Sequence, residues 1–188
     1  MNKFIFTIYL FLIGTGIAMA QDIELFRFSN LQLAEGKTMV LHHNKVNNKV
    51  TLIEKSEGDF GVNGGFLQAF ILKRLTNGKV LIASAKQKNY FLRYKPSTDE
   101  VDFALIENKE VLENYTWQLQ FAGKLNNNNA KNIIAISPTS VLSKGLVHKS
   151  NNQVGVETLK ANPTSSGRGG TIIGNQYRFT MEKLADVL

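Results

Sequence analysis

The fold is decided by the stretch Phe91-Leu92-Arg93-Tyr94, which runs through the polar turn Pro96-Ser97-Thr98-Asp99 into the alternating segment 100–105. Related stretches occur at Val40-Leu41-His42-His43 and at Gly145-Leu146-Val147-His148. Each leads through a polar turn into a segment of alternating apolar and polar residues, which is typical of a strand with one buried face. Each copy later reaches a large aromatic residue at a corresponding place: Phe70, Trp117 and Phe179. Three hairpin units in one small chain predict a threefold β barrel.

The spacing of the copies supports this register. Leu41 and Leu92 are 51 residues apart, whereas Leu92 and Leu146 are 54 apart. The extra length is explained by the asparagine run 126–129, and a second insertion lies in the Gly- and Ser-rich loop 163–170. A repeated scaffold tolerates insertions in such turn-like stretches. A chance alignment of β-rich segments is the alternative interpretation.

The first twenty residues predict a cleavable signal peptide. Lys3 gives the positive start, residues 4–13 are almost wholly apolar, and Ala18-Met19-Ala20 offers the small residues of a cleavage site. Cleavage after Ala20 leaves a single domain over residues 21–188, secreted or periplasmic and without a membrane span. An uncleaved anchor is the alternative.

Composition limits the other functions. The chain has no cysteine, so it forms no disulfide, and its formal net charge is +7. That charge is compatible with an acidic polysaccharide or a membrane surface as partner. The lysines, however, are scattered along turns and strand ends, where charges that discourage edge-to-edge aggregation explain them equally well. No basic run or recognisable motif indicates nucleic acid binding.

The stretch 84–94, followed by Tyr115-Thr116-Trp117-Gln118-Leu119, resembles the sugar-binding β-trefoil attached to fungal and bacterial arabinofuranosidases. More loosely, the chain is similar to ricin-type lectins and fascin-like modules. The resemblance implies an all-β fold in which six barrel strands are capped by three hairpins. Units of that family carry Tyr-Leu-Arg-His, whereas the units here have Leu-His-His, Leu-Arg-Tyr and Leu-Val-His, and the ricin-type Gln-x-Trp is absent.

The position shared by His43, Tyr94 and His148 is the best candidate for a sugar site. Such a site needs rings that stack on a sugar face and polar groups that hydrogen-bond its hydroxyls. With neighbouring polar residues, the candidate ligand-binding set is His43, Asn44, Arg93, Tyr94, Asp99, His148 and Asn151. The alternative is that these side chains cap their own hairpins. For Phe70, Trp117 and Phe179 we expect the core, with sugar stacking on Trp117 as the alternative.

Catalysis, metal binding and cofactors are not expected. The three histidines are accompanied by no cysteine and no Gly-x-Ser-x-Gly elbow. His42 and His43 are adjacent on a strand and therefore point to opposite faces, so they cannot share one ion. Open hairpin turns give no cleft in which two carboxyls face each other across a substrate.

The sequence therefore favours an exported, non-enzymatic carbohydrate-binding module that recognises cell-wall or extracellular glycan. The alternative is an exported protease inhibitor or protein-binding module. It would use loop 163–170, with Arg168 as the residue for a trypsin-like pocket. A structural or adhesive module without a small-molecule site is the third hypothesis.

Overall fold

The computed structural model describes residues 24–34, 36–55, 65–107, 109–124, 132–160 and 173–184. The predicted signal peptide 1–20 and the loop 163–170 with Arg168 lie outside these residues. The described part is built of twelve strands: β1 (Leu25–Ala34), β2 (Lys37–Asn44), β3 (Lys49–Glu54), β4 (Phe70–Arg74), β5 (Lys79–Ser84), β6 (Tyr90–Lys95), β7 (Glu100–Leu105), β8 (Thr116–Lys124), β9 (Asn132–Pro138), β10 (Lys144–His148), β11 (Val154–Thr158) and β12 (Phe179–Lys183). Short 3-10 helices stand between some of them: Gly65–Gln68, Thr76–Gly78, Lys109–Tyr115, Ser150–Asn152 and Asn175–Tyr177. Within the described ranges, no helix has the length and apolarity to cross a membrane.

Six of the strands close a barrel. Going round it, β1 pairs with β4, β4 with β5, β5 with β8, β8 with β9, β9 with β12, and β12 returns to β1, all antiparallel. Each unit of the repeat supplies four consecutive strands, of which the first and fourth belong to the barrel. The predicted all-β, threefold architecture is thereby confirmed, and it is that of a β-trefoil.

The other six strands form three hairpins that cap the barrel. The leucines used to align the repeats occupy one register position in them, opposite a buried apolar residue of the partner strand. The pairs are Leu41 with Leu52, Leu92 with Phe103, and Leu146 with Val156. All six side chains are buried in the same core cluster. The predicted correspondence of residues 41, 92 and 146 is therefore confirmed.

The hairpin turns also bind the hairpins to one another. Asn48, Asp99 and Asn152 end the three turns with φ of 55°, 54° and 57°, a left-handed conformation that Asn and Asp tolerate better than most residues. The carbonyl of Asn48 accepts a hydrogen bond from the Phe103 amide at 2.8 Å, and that of Asp99 accepts one from Val156 at 2.9 Å. Beside Asn152, Gln153 pairs with Thr51 of the first hairpin. The three turns thus close a ring around the threefold axis.

The repeated aromatic residues fill the core. Phe70, Trp117 and Phe179 are all fully buried, each on the fourth strand of its unit. The indole Nε1 of Trp117 donates a hydrogen bond to the Leu92 carbonyl at 2.9 Å, which leaves no polar atom of the ring unsatisfied. These residues belong to the core, as expected, and Trp117 offers no face to a sugar.

Truncation of one of these rings should cost far more stability than truncation of a phenylalanine on the outside. We expect Phe179→Ala to lower the free energy of unfolding by about 3–5 kcal/mol, because it leaves a cavity in a closed barrel. Phe121→Ala is the matched control, since Phe121 is 67% exposed, and it should change stability by less than about 0.5 kcal/mol. Urea denaturation measures both. Equal losses in the two variants would contradict the assignment of Phe179 to the core.

Candidate functional site

The three residues proposed as a shared site do occupy equivalent positions. His43 lies opposite Val50, Tyr94 opposite Val101 and His148 opposite Val154 in their hairpins. The position lies two residues after the core leucine on the same strand, and side chains two apart point to the same face. It therefore faces the inside of the cap.

His43 is fully buried and held on both ring nitrogens. Its Nδ1 lies 2.8 Å from the Ser84 hydroxyl and its Nε2 3.2 Å from Asn48 Oδ1. The amide oxygen can only accept, so Nε2 carries the proton and Nδ1 accepts from Ser84. The ring also packs on Phe103 at 4.2 Å between centroids. As placed, His43 joins two units and presents no surface to a ligand.

Tyr94 and Asp99 connect the second hairpin to the third. The buried Tyr94 hydroxyl donates a hydrogen bond to Asp99 Oδ1 at 2.5 Å, and Lys144 Nζ lies 2.8 and 2.7 Å from the two carboxylate oxygens. The bond from Lys144, followed by that from Tyr94, lowers the pKa of Asp99. Burial, followed by the bond to Asp99, raises the pKa of Tyr94. Both side chains are committed to internal contacts.

The remaining predicted residues lie in the first and third hairpins. Asn44 uses its Oδ1 to accept the Val46 amide at 3.1 Å, and Asn151 has a left-handed φ of 57° in the third turn. His148 is partly buried, and its Nδ1 has no hydrogen-bond partner in the described part of the chain. The structure does not gather these three around one cleft.

Besides His148, which lines a separate cleft, Arg93 is the predicted residue that opens onto a cleft. It lies opposite Asp102 in the second hairpin, and its guanidinium makes a two-pronged ion pair: Nε to Oδ1 at 2.9 Å and Nη2 to Oδ2 at 2.7 Å. Lys95 Nζ adds a third contact to Asp102 Oδ2 at 2.8 Å. Paired, planar groups of this kind are held rigidly and keep further donors and acceptors for a ligand.

The cleft around this pair has a volume of about 460 Å³. Its walls come from the second hairpin, from the first turn through Asn47, and from the 3-10 helix that ends at Tyr115. Tyr115 is buried as its floor, with its hydroxyl donating to the Leu105 carbonyl at 2.8 Å, while Tyr90 is partly exposed at its wall. We call this space the Arg93 cleft.

The electrostatics keep the Arg93 cleft charged at neutral pH. Burial alone would raise the pKa of Asp102, but the hydrogen bonds from Arg93 and Lys95 outweigh it and the pKa is lowered. The bond to Asp102 raises the pKa of Arg93. The cleft therefore offers a fixed carboxylate and a fixed guanidinium side by side, beside an aromatic ring.

The same position differs in the other two units. In the first unit the pair is His42 with Thr51, joined by a hydrogen bond of 3.0 Å between Nδ1 and Oγ1. In the third unit it is Val147 with Gly155. A second cleft of about 540 Å³ does lie beside Val147, with Tyr177 in the place that Tyr115 holds in the Arg93 cleft. That second cleft has no arginine–aspartate pair, but it is lined by His148 and by an ion pair of Lys149 with Glu157, 3.6 Å from Nζ to Oε1.

Sequence reasoning missed Asp102, Tyr90, Tyr115 and Asn47 as companions of Arg93. One signal could have found Asp102: a four-residue turn over 96–99 places residue 93 opposite residue 102. Tyr115 precedes Trp117 by two residues, as Tyr177 precedes Phe179, so the repeat itself predicts that the two tyrosines occupy equivalent positions. For metals, the described ranges contain no group of three or more His, Cys, Asp or Glu side chains that could hold an ion.

The buried His43 should make the protein sensitive to mild acid. Burial, only partly offset by the bond to Asn48, lowers the pKa of His43 below its ordinary 6.5. Its contribution to stability is therefore complete above pH 6.5 and is lost as the pH falls through the lower folded-state value, because only the unfolded chain takes up the proton readily. We expect a lower urea midpoint at about pH 5 than at about pH 7.5, and a smaller difference in His43→Gln.

His42→Gln is the control for that experiment. Burial and the neighbouring charge of His43 lower the pKa of His42 as well, so this variant measures how much of the acid sensitivity belongs to the outer histidine. An unchanged pH dependence in His43→Gln would contradict the buried, neutral imidazole.

Comparison with known proteins supports the fold. The sequence matches no protein-family model and no curated protein sequence. Among solved structures, the chain is similar to a BEL β-trefoil, with a TM-score of 0.56 and 15% identity over 86% of this chain and 93% of that one. It is also similar to a GH54 α-L-arabinofuranosidase mutant, with a TM-score of 0.61 and 12% identity over 86% of this chain and 31% of that one.

A third similar structure is a GlcNAcα1-4Gal-releasing endo-β-galactosidase from Clostridium perfringens, with a TM-score of 0.56 and 8% identity. That match covers 86% of this chain and 33% of the enzyme. The chain thus spans about a third of the length of the two enzymes it resembles. At these identities the likeness concerns the fold, and it agrees with the strand pairing: the chain folds as a β-trefoil.

Proposed function

We propose that the protein is an exported, non-enzymatic carbohydrate-binding module that holds a sugar residue of a cell-wall or extracellular glycan in the Arg93 cleft. The observation that carries the proposal is the rigid pair of Arg93 and Asp102 beside the partly exposed ring of Tyr90. Sugar hydroxyls both donate and accept hydrogen bonds, so an adjacent carboxylate and guanidinium can engage neighbouring hydroxyls while a ring covers an apolar sugar face.

The geometry of the cleft suits such a ligand in other respects. Asp102 keeps its charge because two cations bond to it, and Arg93 retains N–H groups beyond the two that it gives to Asp102. The side-chain amide of Asn47 lies on the opposite wall, and its Oδ1 already accepts the Lys49 amide, so its NH₂ group is available to donate. Both walls belong to hairpins fixed by the ring of turns, so little conformational entropy is lost on binding.

The charge state of Asp102 does not suit it as the proton donor of a glycosidase. A glycosidase of the two-carboxyl type needs one carboxyl whose pKa is raised so that it can donate a proton at neutral pH. The pKa of Asp102 is moved in the opposite direction. Two of the similar solved structures are named as enzymes, an arabinofuranosidase and an endo-β-galactosidase, and a third is named as a trefoil. An activity of either enzyme would be a separate hypothesis for this chain.

The cleft is tested by one pair of charge-neutralising variants. After a glycan array has identified a ligand, we expect Asp102→Asn to weaken its binding roughly tenfold or more, because a charged acceptor normally contributes about 1.5–3 kcal/mol. Asp99→Asn is the matched control, since it also removes a carboxylate bonded to a lysine but lies outside the cleft. Isothermal titration calorimetry measures both affinities.

Two outcomes would count against this function. One is a mature protein that binds no glycan on the array, and the other is equal loss of affinity in the two variants. Release of new reducing ends from a bound glycan would instead contradict the non-enzymatic part of the proposal. Urea denaturation of each variant shows whether a lost affinity comes from a lost fold.

Export has its own test. We expect the full chain, expressed in a bacterium with a secretory pathway, to yield a mature protein whose N-terminal residue is Gln21, because Ala18-Met19-Ala20 offers a signal peptidase site. N-terminal sequencing of the purified product measures this. A product that begins at Met1 and stays with the membrane fraction would support the uncleaved anchor instead.

A further inference from the structure

The net charge of the protein is concentrated in one segment. Residues 60–98 contain seven lysines and arginines and no aspartate or glutamate. The whole chain has 22 basic and 15 acidic residues, so the 15 basic residues outside this segment are balanced by the 15 acids. This segment, about a fifth of the chain, thus accounts for the formal charge of +7, although its basic residues are spread out and form no dense run.

Two of these seven cations are paired with a carboxylate. Arg93 and Lys95 bond to Asp102, as described above. The other five form no ion pair with a carboxylate in the described ranges: Lys73, Arg74, Lys79, Lys86 and Lys88. All are exposed except Lys79, which is partly exposed. Unpaired cations on one part of a fold repel each other, and an anionic ligand would relieve that repulsion.

The strand pairing places two of the lysines on one outer face. Lys73 lies opposite Leu81 across β4 and β5, and Lys79 stands two residues before Leu81, so both lysines share the face of Leu81. Val80 and Ile82, on either side of Leu81, enter the core cluster, so the lysines point away from the barrel interior. Lys73 Nζ lies 4.9 Å from the ring centre of Phe91 on β6. Lys86 and Lys88 are in the turn that joins β5 to β6, at the other end of β5 from Lys79. We call this surface, with Arg74 at its edge, the basic face.

We propose that the basic face is a binding surface for a linear polyanionic polysaccharide, whose charges are carboxylates or sulfates. From Lys79 to the turn, the face extends roughly 20 Å, since a strand rises about 3.3 Å per residue. An extended row of separate cations suits a polymer with regularly spaced charges. A small free anion would need converging donors, which this row does not provide.

The same surface fits an anionic membrane less well. Proteins that lie on membranes combine cations with apolar side chains that enter the bilayer. The large apolar residues that are exposed in the described part of the chain are Val46, Leu105, Leu112, Phe121 and Leu142. None of them belongs to the segment 60–98. The basic face therefore has charge for a polyanion and no exposed apolar residue for insertion.

The basic face lies next to the Arg93 cleft. Phe91, whose ring lies below the Lys73 ammonium group, packs in the same buried cluster as Tyr115, the floor of the cleft. If the proposed function holds, a chain bound along the face can continue into the cleft. The binding surface itself does not depend on that function.

The experiment compares two double variants of equal charge. Lys86→Gln/Lys88→Gln removes two cations of the basic face, and Lys45→Gln/Lys49→Gln removes two exposed lysines of the first hairpin, one in its turn and one at the start of β3. The probe is polygalacturonate, with dextran sulfate as the sulfated counterpart, at low ionic strength. We expect the first variant to bind roughly tenfold more weakly than the wild type and the second to bind as the wild type does. Thermal unfolding confirms that both variants are folded.

The other outcomes overturn the proposal. Equal loss in the two variants would mean that net charge alone attracts the probe, and absence of binding at low ionic strength would mean that the face has no such function. Tighter binding to phosphatidylserine vesicles than to either polysaccharide would assign the face to a membrane. The variant Asp102→Asn separates this inference from the proposed function, since it should lose the array ligand and still bind polygalacturonate.

Discussion

The closed ring of backbone hydrogen bonds among six strands is the constraint on which the rest of the structure depends. Because β12 returns to β1, no barrel strand has an unpaired edge, and the chain needs no disulfide to fix its ends. Closure also fixes which side of each strand faces the axis. The large aromatic side chain on the fourth strand of each unit must then enter the interior, and three such rings fill it.

The cap converts this symmetry into fixed surface geometry. Each hairpin turn ends in a left-handed Asn or Asp, and the carbonyls of Asn48 and Asp99 accept a hydrogen bond from the next hairpin. Side chains add to this ring, since His43 links the first hairpin to Ser84 and Asp99 links the second to Lys144. The titratable side chains of the repeat, which the sequence suggests as ligand-binding groups, therefore stabilise the cap. The positions beside them, on the outer face of the same strands, remain available to a ligand.

This arrangement explains how much the sequence could predict. The leucine register, the turns and the core role of Trp117 followed from period two and from repetition, because both report which side of a strand is buried. By the same rule, residue 43, two positions after Leu41, points to the same face of its strand as that leucine. Residue 93, one position after Leu92, points to the opposite face of its strand. The partner of Arg93 required the turn length as well, and the floor of its cleft required the path of a 3-10 helix, which no local pattern in the sequence indicates. The basic face needed only a count of charges by segment.

Comparison of the three units shows where the chain was free to differ. Inside the cap, Leu41, Leu92 and Leu146 are identical because they meet around one axis, and a change of volume in one unit would be felt by the other two. On the outer side, the corresponding pairs are His42 with Thr51, Arg93 with Asp102, and Val147 with Gly155, since each contacts only its own surroundings. In unit three, the side chain of Lys149 occupies the space that a Cβ at Gly155 would need. The bidentate Arg93–Asp102 pair thus belongs to the second unit, and the cations of β4 to β6 that form no ion pair in the described ranges lie next to it, so this side of the scaffold differs in its chemistry from the other two.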